Sequence, residues 1–218
     1  MAKDIGIDLG TANVLIFVKG KGIVLNEPSV VALDTATNKV LAVGEEAYQM
    51  VGRTPGSIVA IRPMRDGVIA DFDITQAMLQ YFINKLKVKS MFSRPRILIC
   101  CPTNITSVEQ KAIRQAAEST GSRNVFIEEE PKVAAVGVGM NIFEPSGNMV
   151  IDIGGGTTDV AVLSMGGIVT SESLKMAGNT LDNDILNHVK REHNLLIGER
   201  TAEAIKITIG TATPTDTE

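Results

Sequence analysis

Two short segments carry the residue types that phosphate chemistry requires. D-L-G-T-A-N runs from Asp8 to Asn13 and D-I-G-G-G-T-T-D from Asp152 to Asp159, with the leading aspartates 144 positions apart. Each ends one apolar run and leads through a glycine-rich turn into another. Glycines in such a turn allow positive φ and let successive backbone N–H groups point at one anion. Thr11, Thr157 and Thr158 would add hydroxyl donors. A carboxylate beside a phosphate cradle needs a cation between them. Asp8 and Asp152 are therefore read as directed at Mg2+, through ordered waters, because Mg2+ gives up its hydration reluctantly. Two facing hairpins would clamp the β- and γ-phosphates from both sides. Either hairpin alone is equally well an ordinary turn in which Gly and Asp serve backbone geometry. The matched pair is what favours the phosphate reading. No G-x-x-x-x-G-K-[ST] and no G-x-G-x-x-G occurs, so neither a P-loop nor a dinucleotide fingerprint competes with it.

The elements that must hold these turns follow from periodicity. Short apolar runs at Ile5–Leu9, Val14–Val18, Ile23–Leu25, Val30–Leu33 and Val40–Val43 predict strands separated by turn residues. A 3.6-residue apolar period predicts a helix over Ile74–Leu86. Arg96–Cys101, stopped by Pro102, reads as a buried strand. Thr106 and Glu109 form a capping box for a helix ending near Gly121. Val125–Glu128 is a strand, and Pro131 suits the opening of a helix through Gly137. The opening pattern then returns: strands at Met149–Ile153, Val160–Leu163 and Ile168–Leu174, then helices over about Asn179–Glu192 and Glu199–Ile209. Alternating strands and helices predict an α/β fold.

Composition narrows the class. The 218 residues are 44% hydrophobic, enough for a core, and 21 Lys+Arg against 25 Asp+Glu leave a net charge of −4 with no electrostatic footprint for nucleic acid. There is no apolar run of about 18 residues and no signal-type N-terminus, so a cytoplasmic globular chain is expected. Cys100 and Cys101 are adjacent on a strand, where alternation points them apart, and no Cys/His cluster offers a metal site. His188 and His193 read as surface residues of a polar helix.

With E-E-E-P-K-V-A-A at Glu128–Ala135 between them, the paired hairpins resemble the actin and heat-shock-chaperone ATPase superfamily. N-E-P-S-V-V-A, I-R-P-M-R-D-G-V-I-A-D-F, P-S-G-N-M-V-I-D-I-G-G-G-T-T-D-V-A-V and G-E-R-T-A-E-A-I-K-I are similar to the MreB/Mbl family of bacterial actins specifically. The resemblance covers Lys3 to about Gly210. It implies actin-like ATPase (ribonuclease-H-like) domains. The first would span residues 1–146 and be complete, and the second, over 147–218, would be incomplete and truncated on its C-terminal side. It further implies a membrane-associated filament of the chain with itself, ATP and Mg2+ as ligands, a place on the inner face of the cell membrane, and a role in rod shape with the cell-wall elongation machinery.

Residue roles carry over by position. Glu130, before Pro131, would orient or activate the attacking water, and a helix N-terminus there is expected to keep its carboxylate ionised. Thr157 would help place the water or γ-phosphate. Gly10, Thr11, Ala12 and Asn13 would line one phosphate loop, and Gly154, Gly155 and Gly156 the other. Glu203 and Lys206, one helical turn apart, would sit around the adenosine, or else form an i,i+3 ion pair. Met91 and Phe92, near Lys87, Lys89 and Arg94, suit shallow insertion into an anionic leaflet, or else cover a local core. An incomplete second sheet would expose an unpaired edge and apolar faces, so poor solubility is expected. A sugar or acetate kinase, a chaperone ATPase, and an inactive truncated product are the rival readings.

Overall fold

The computed structural model describes residues 4–86, 94–103, 105–122 and 124–213. Its largest sheet has five strands in the order β10-β9-β1-β2-β3. β1 (Asp4–Leu9), β2 (Asn13–Val18) and β3 (Gly22–Pro28) form an antiparallel meander, while β9 (Arg96–Cys101) and β10 (Asn124–Glu129) add on in parallel. The central strand β1 alternates, with Ile5, Ile7 and Leu9 pointing one way into the core and Gly6 and Asp8 the other. The core beneath this sheet is built with Met78, Leu79, Phe82 and Ile83 of α2 (Phe72–Lys85) and Ile113, Ala116 and Ala117 of α3 (Ser107–Ser119).

Both helices start where their caps require. Asp71 accepts the Ile74 N–H at 3.1 Å, setting the α2 start two residues before the expected Ile74. Thr106 and Glu109 close the capping box of α3 reciprocally, the Thr106 hydroxyl accepting from Glu109 N at 3.2 Å and Glu109 accepting from Thr106 N at 2.8 Å. Between β3 and α2 lies an insertion: β4 (Val31–Asp34), β5 (Val40–Val43) and β6 (Ile58–Ile61) form a sheet in the order β5-β4-β6, beside the short helix α1 (Glu45–Tyr48). It is followed by a two-residue-per-strand hairpin, β7 (Met64–Arg65) and β8 (Val68–Ile69).

The second antiparallel meander has the order β11-β12-β13, from β11 (Asn148–Ile153), β12 (Thr158–Ser164) and β13 (Gly167–Leu174). α4 (Glu130–Gly137) lies between the two sheets, packing on β11 and β12 as well as on β9 and β10. Ala135, Ile142 and Leu163 form a small buried core there with Val150 and Ile168 at its margin. α5 (Gly178–His193) and α6 (Glu199–Ile209) pack on each other. Among the described residues no helix is long and apolar enough to cross a membrane. Met91 and Phe92 lie outside the described residues.

Candidate functional site: a cavity between two matched hairpins

The internal repeat holds in three dimensions. In the first hairpin Asp8 pairs with Leu15 and Leu9 with Val14; in the second, Asp152 pairs with Asp159 and Ile153 with Thr158, the same register at every position. The turns match as well, with Gly10 N donating to Asn13 O at 3.1 Å and Gly154 N to Thr157 O at 2.9 Å. They face each other across a cavity of about 400 Å3. Asp8, Glu130, Asp152 and Thr157 line it together with both glycine-bearing turns, Gly10–Asn13 and Gly154–Gly156.

Close approach, and not positive φ, is why glycine is needed. None of Gly10, Gly154, Gly155 and Gly156 uses the left-handed region that glycine allows. A Cβ on Gly155 would stand 2.4 Å from the Ala12 Cβ, and one on Gly156 2.8 Å from the Thr11 Cγ2. The two turns touch, so a side chain on either glycine would push them apart. A turn's need for φ is local, whereas this need arises from the partner turn 144 residues away.

Each turn is braced differently. Ser29, fully buried, donates from Oγ to Gly10 O at 2.7 Å, and its N–H donates to Ala12 O at 2.8 Å. The second turn is held by the start of α5, where Gly178 N donates to Gly154 O at 3.1 Å and Asn179 N to Gly155 O at 2.8 Å. The tip of the β7–β8 hairpin joins both: Gly67 N donates to Thr11 Oγ1 at 3.1 Å, and a Cβ on Gly67 would meet Thr157 Cγ2 at 2.7 Å. Thr11 and Thr157 are both buried here. Thr158 is not a donor to the cavity, because its Oγ1 donates to Met176 O at 2.6 Å instead.

The carboxylates repel one another. Burial pushes Glu130 up to about 8, with Asp8, Asp152 and Asp159 adding to the rise. This corrects the expectation that its helix N-terminus keeps it ionised. α4 does begin at Glu130 with Pro131 in its first turn. A half-charge of helix dipole is outweighed by desolvation and three nearby carboxylates. Asp8 rises to about 6, first through burial and then through Asp152. Asp152 is also raised, by burial and then by Asp159. Cys100, on the same wall, is pushed up to about 12 by burial and is no nucleophile at neutral pH. A concentration of acids in a cavity flanked by backbone turns fits a divalent cation shared with phosphate oxygens and water. It does not fit a cage of protein ligands, since among the described residues no three His, Cys, Asp or Glu side chains converge to hold a metal.

Glu203 and Lys206 do not join this cavity. Glu203 accepts a hydrogen bond from the Tyr48 hydroxyl, joining α6 to α1, and lines a separate cavity of about 470 Å3 that shares Thr11–Asn13 with the first. Burial and Glu203 raise the Tyr48 phenol to about 12, keeping it a donor. Arg62 and Arg200 lie 5.8 and 5.0 Å from the centre of its ring. Lys206 pairs with Asp182 at 2.8 Å and donates to Gly178 O at 2.9 Å, so it clamps α6 to the start of α5 and forms no pair with Glu203. Three contributors escaped the sequence reading. Asp159 closes the motif that Asp152 opens, and it is 2% exposed with Thr103 Oγ1 donating to it at 3.2 Å. Asp66-Gly67 is a D-G turn signal whose partner could not be read locally, and Ser29 lies within N-E-P-S-V-V-A without local turn or cap chemistry to mark its role.

A five-stranded mixed sheet, a second meander in matched register and a helix between them define an actin-like α/β fold with its cavity at the two turns. The family model described as MreB/Mbl protein matches residues 2–218, and the chain belongs to that family. It is 78% identical over 213 residues to the cell shape-determining protein Mbl of Bacillus cereus, covering 98% of this chain and 64% of that protein. It is 55% identical to the cell shape-determining protein MreB of Escherichia coli, over 99% of this chain and 63% of that protein. The chain thus spans somewhat under two thirds of the length of the curated relatives it matches. The crystal structure of MreB5 of Spiroplasma citri bound to ADP superposes with a TM-score of 0.91 at 44% identity, over 100% of this chain and 65% of that one. The MamK double helical filament, at 21% identity, a TM-score of 0.77 and coverage of 94% of this chain and 64% of that one, shares the fold.

Proposed function

We propose that this chain carries the phosphate clamp of an actin-like cytoskeletal ATPase that forms membrane-associated filaments, determines rod cell shape and guides cell-wall synthesis. The observation that carries the reading is the pair of register-matched hairpins touching across one acidic cavity. Gly10–Asn13 and Gly154–Thr157 would cradle the phosphates of ATP with backbone N–H groups. Mg2+, held through water by Asp8 and Asp152, would supply the positive charge that makes phosphate and carboxylates compatible. Glu130 would accept a proton from water positioned with Thr157, which requires its ionised form. Glu203 is assigned to the adenosine end of the site, and Lys206 to positioning the second turn through Gly178. Met91 and Phe92 are assigned to the inner membrane surface. Residues 1–146 would form the first unit and 147–218 part of the second.

The relatives named cell shape-determining proteins, and the MreB5 structures bound to ADP and to AMPPNP, support this reading. Sedimentation of the chain with Mg-ATP, Mg-ADP or no nucleotide tests it. Pelleting that depends on nucleotide is the expected result. Pelleting indifferent to nucleotide, or none at any concentration together with no nucleotide binding, would overturn the activity.

A further inference from the structure

Glu203 stands on α6, yet what fixes its carboxylate comes from the insertion, 155 positions earlier: the Tyr48 hydroxyl donates to its Oε2. Two arginines are close by. Arg200, one turn before Glu203 on α6, sets its guanidinium 5.0 Å from the centre of the Tyr48 ring, and Arg62, just past β6, sets its own at 5.8 Å. Among the described residues neither forms an ion pair with Glu203. A phenol donates one hydrogen bond and brings no charge, so it fixes the carboxylate without cancelling its charge, as a guanidinium pair would.

Tyr48 is itself built into place. α1 has four residues, too few to be stable alone. Glu27 on β3 anchors it: Oε2 accepts the Glu45 N–H at 3.3 Å, and Oε1 pairs with Lys85 at the end of α2. Gly44, at φ 75°, turns the chain into α1 against that carboxylate, with which a Cβ would collide. Tyr48 N then donates to Gly44 O at 2.9 Å, and the side chain packs on the small core of Val30, Ala32, Ala42 and Ala47. Glu27 also pairs with Val14, and Pro28 with Asn13, so α1 and the first phosphate turn hang from one strand. The cavity of about 470 Å3 lined by Tyr48 and Glu203 takes in Thr11, Ala12 and Asn13 of that turn.

We propose that Tyr48 is a positioning residue of the nucleotide site, holding Glu203 from the insertion in the orientation that receives the nucleoside end of the ligand. The proposal rests on the assignment of Glu203 to that end. The effect of Tyr48 is then confined to the nucleoside. A ligand made of phosphates alone engages the two turns without Glu203, whereas ATP loses a preset acceptor when the phenol hydroxyl is removed. In Tyr48→Phe the ring keeps its packing, and Glu203 is released toward the two arginines.

Calorimetric titration of the 218-residue chain with Mg-ATP and, separately, with Mg-tripolyphosphate tests this. Tyr48→Phe should lower ATP affinity by about tenfold and leave tripolyphosphate affinity within about twofold of the parent. Tyr81→Phe, the same change at the chain's other tyrosine, on α2, should alter neither. Glu203→Ala should weaken ATP, and adding Tyr48→Phe to it should cost little more, because the two act as a pair. Equal losses for ATP and tripolyphosphate would reduce Tyr48 to a support of the fold. Unchanged ATP affinity in Tyr48→Phe, or additive losses in the double variant, would equally overturn the proposal while leaving the phosphate clamp standing. A parent that binds neither ligand would overturn the clamp and this proposal with it.

Discussion

The two hairpins are near-duplicates in register and turn, and opposites in support. The first is sealed beneath helices and flanked by parallel strands; the second presents the same alternation to solvent. A phosphate clamp needs both turns at fixed separation, so its geometry is set locally by hairpin register while its rigidity is set by whatever covers each sheet. The comparison separates what builds a site from what steadies it.

The largest contrast is in the core. Ile7→Ala should destabilise the chain by roughly 2–5 kcal/mol, while Ile151→Ala at the equivalent place should cost under about 0.5 kcal/mol in denaturant unfolding. Similar losses at both sites would mean that the β11 face is already covered. Next comes the contact between the turns: Gly155→Val should reduce nucleotide affinity by about tenfold or more, since a Cβ there collides with Ala12 at 2.4 Å. Gly6→Ala, whose Cβ would meet only the Phe17 Cβ at an ordinary 3.9 Å, should leave affinity within about twofold of the parent. Ser29→Ala, which removes the brace of the first turn alone, should cost about 1–2 kcal/mol and weaken binding modestly.

A separate effect is in pH. Folding raises the carboxyl of Glu130 from an ordinary 4.5 to about 8 and that of Asp8 from 3.8 to about 6. The folded state therefore holds more protons than the unfolded chain in that window. Stability of the nucleotide-free protein should fall as pH rises from about 4 to about 8, and Glu130→Gln should flatten the upper part of the slope. A stability that rises over the same window would contradict the repulsion among these acids.

Much of this was legible in order. Both hairpins, the Thr106–Glu109 capping box, the start of α4 beside Pro131 and the span of Glu199–Ile209 follow from local signals, because turn chemistry and helix caps act within a few residues. The four-residue helix α1 and the two-residue strands of β7–β8 escaped, being too short for any periodicity to show, and strand β6 escaped although it is as long as β4 and β5. Errors in the site share one cause. Whether Gly155 needs φ or space, whether Glu130 ionises, and which group Lys206 grips are all decided by residues far away in the chain. The family resemblance supplied Glu203, but its Tyr48 partner lies 155 positions away.

Calorimetric titration of the chain with ATP, with and without Mg2+, for the parent, Asp8→Asn and Asp152→Asn proteins tests the two-hairpin clamp most directly. The clamp predicts Mg2+-dependent binding that both substitutions weaken to a similar degree. Binding indifferent to Asp152→Asn, or none at millimolar ATP, would contradict it.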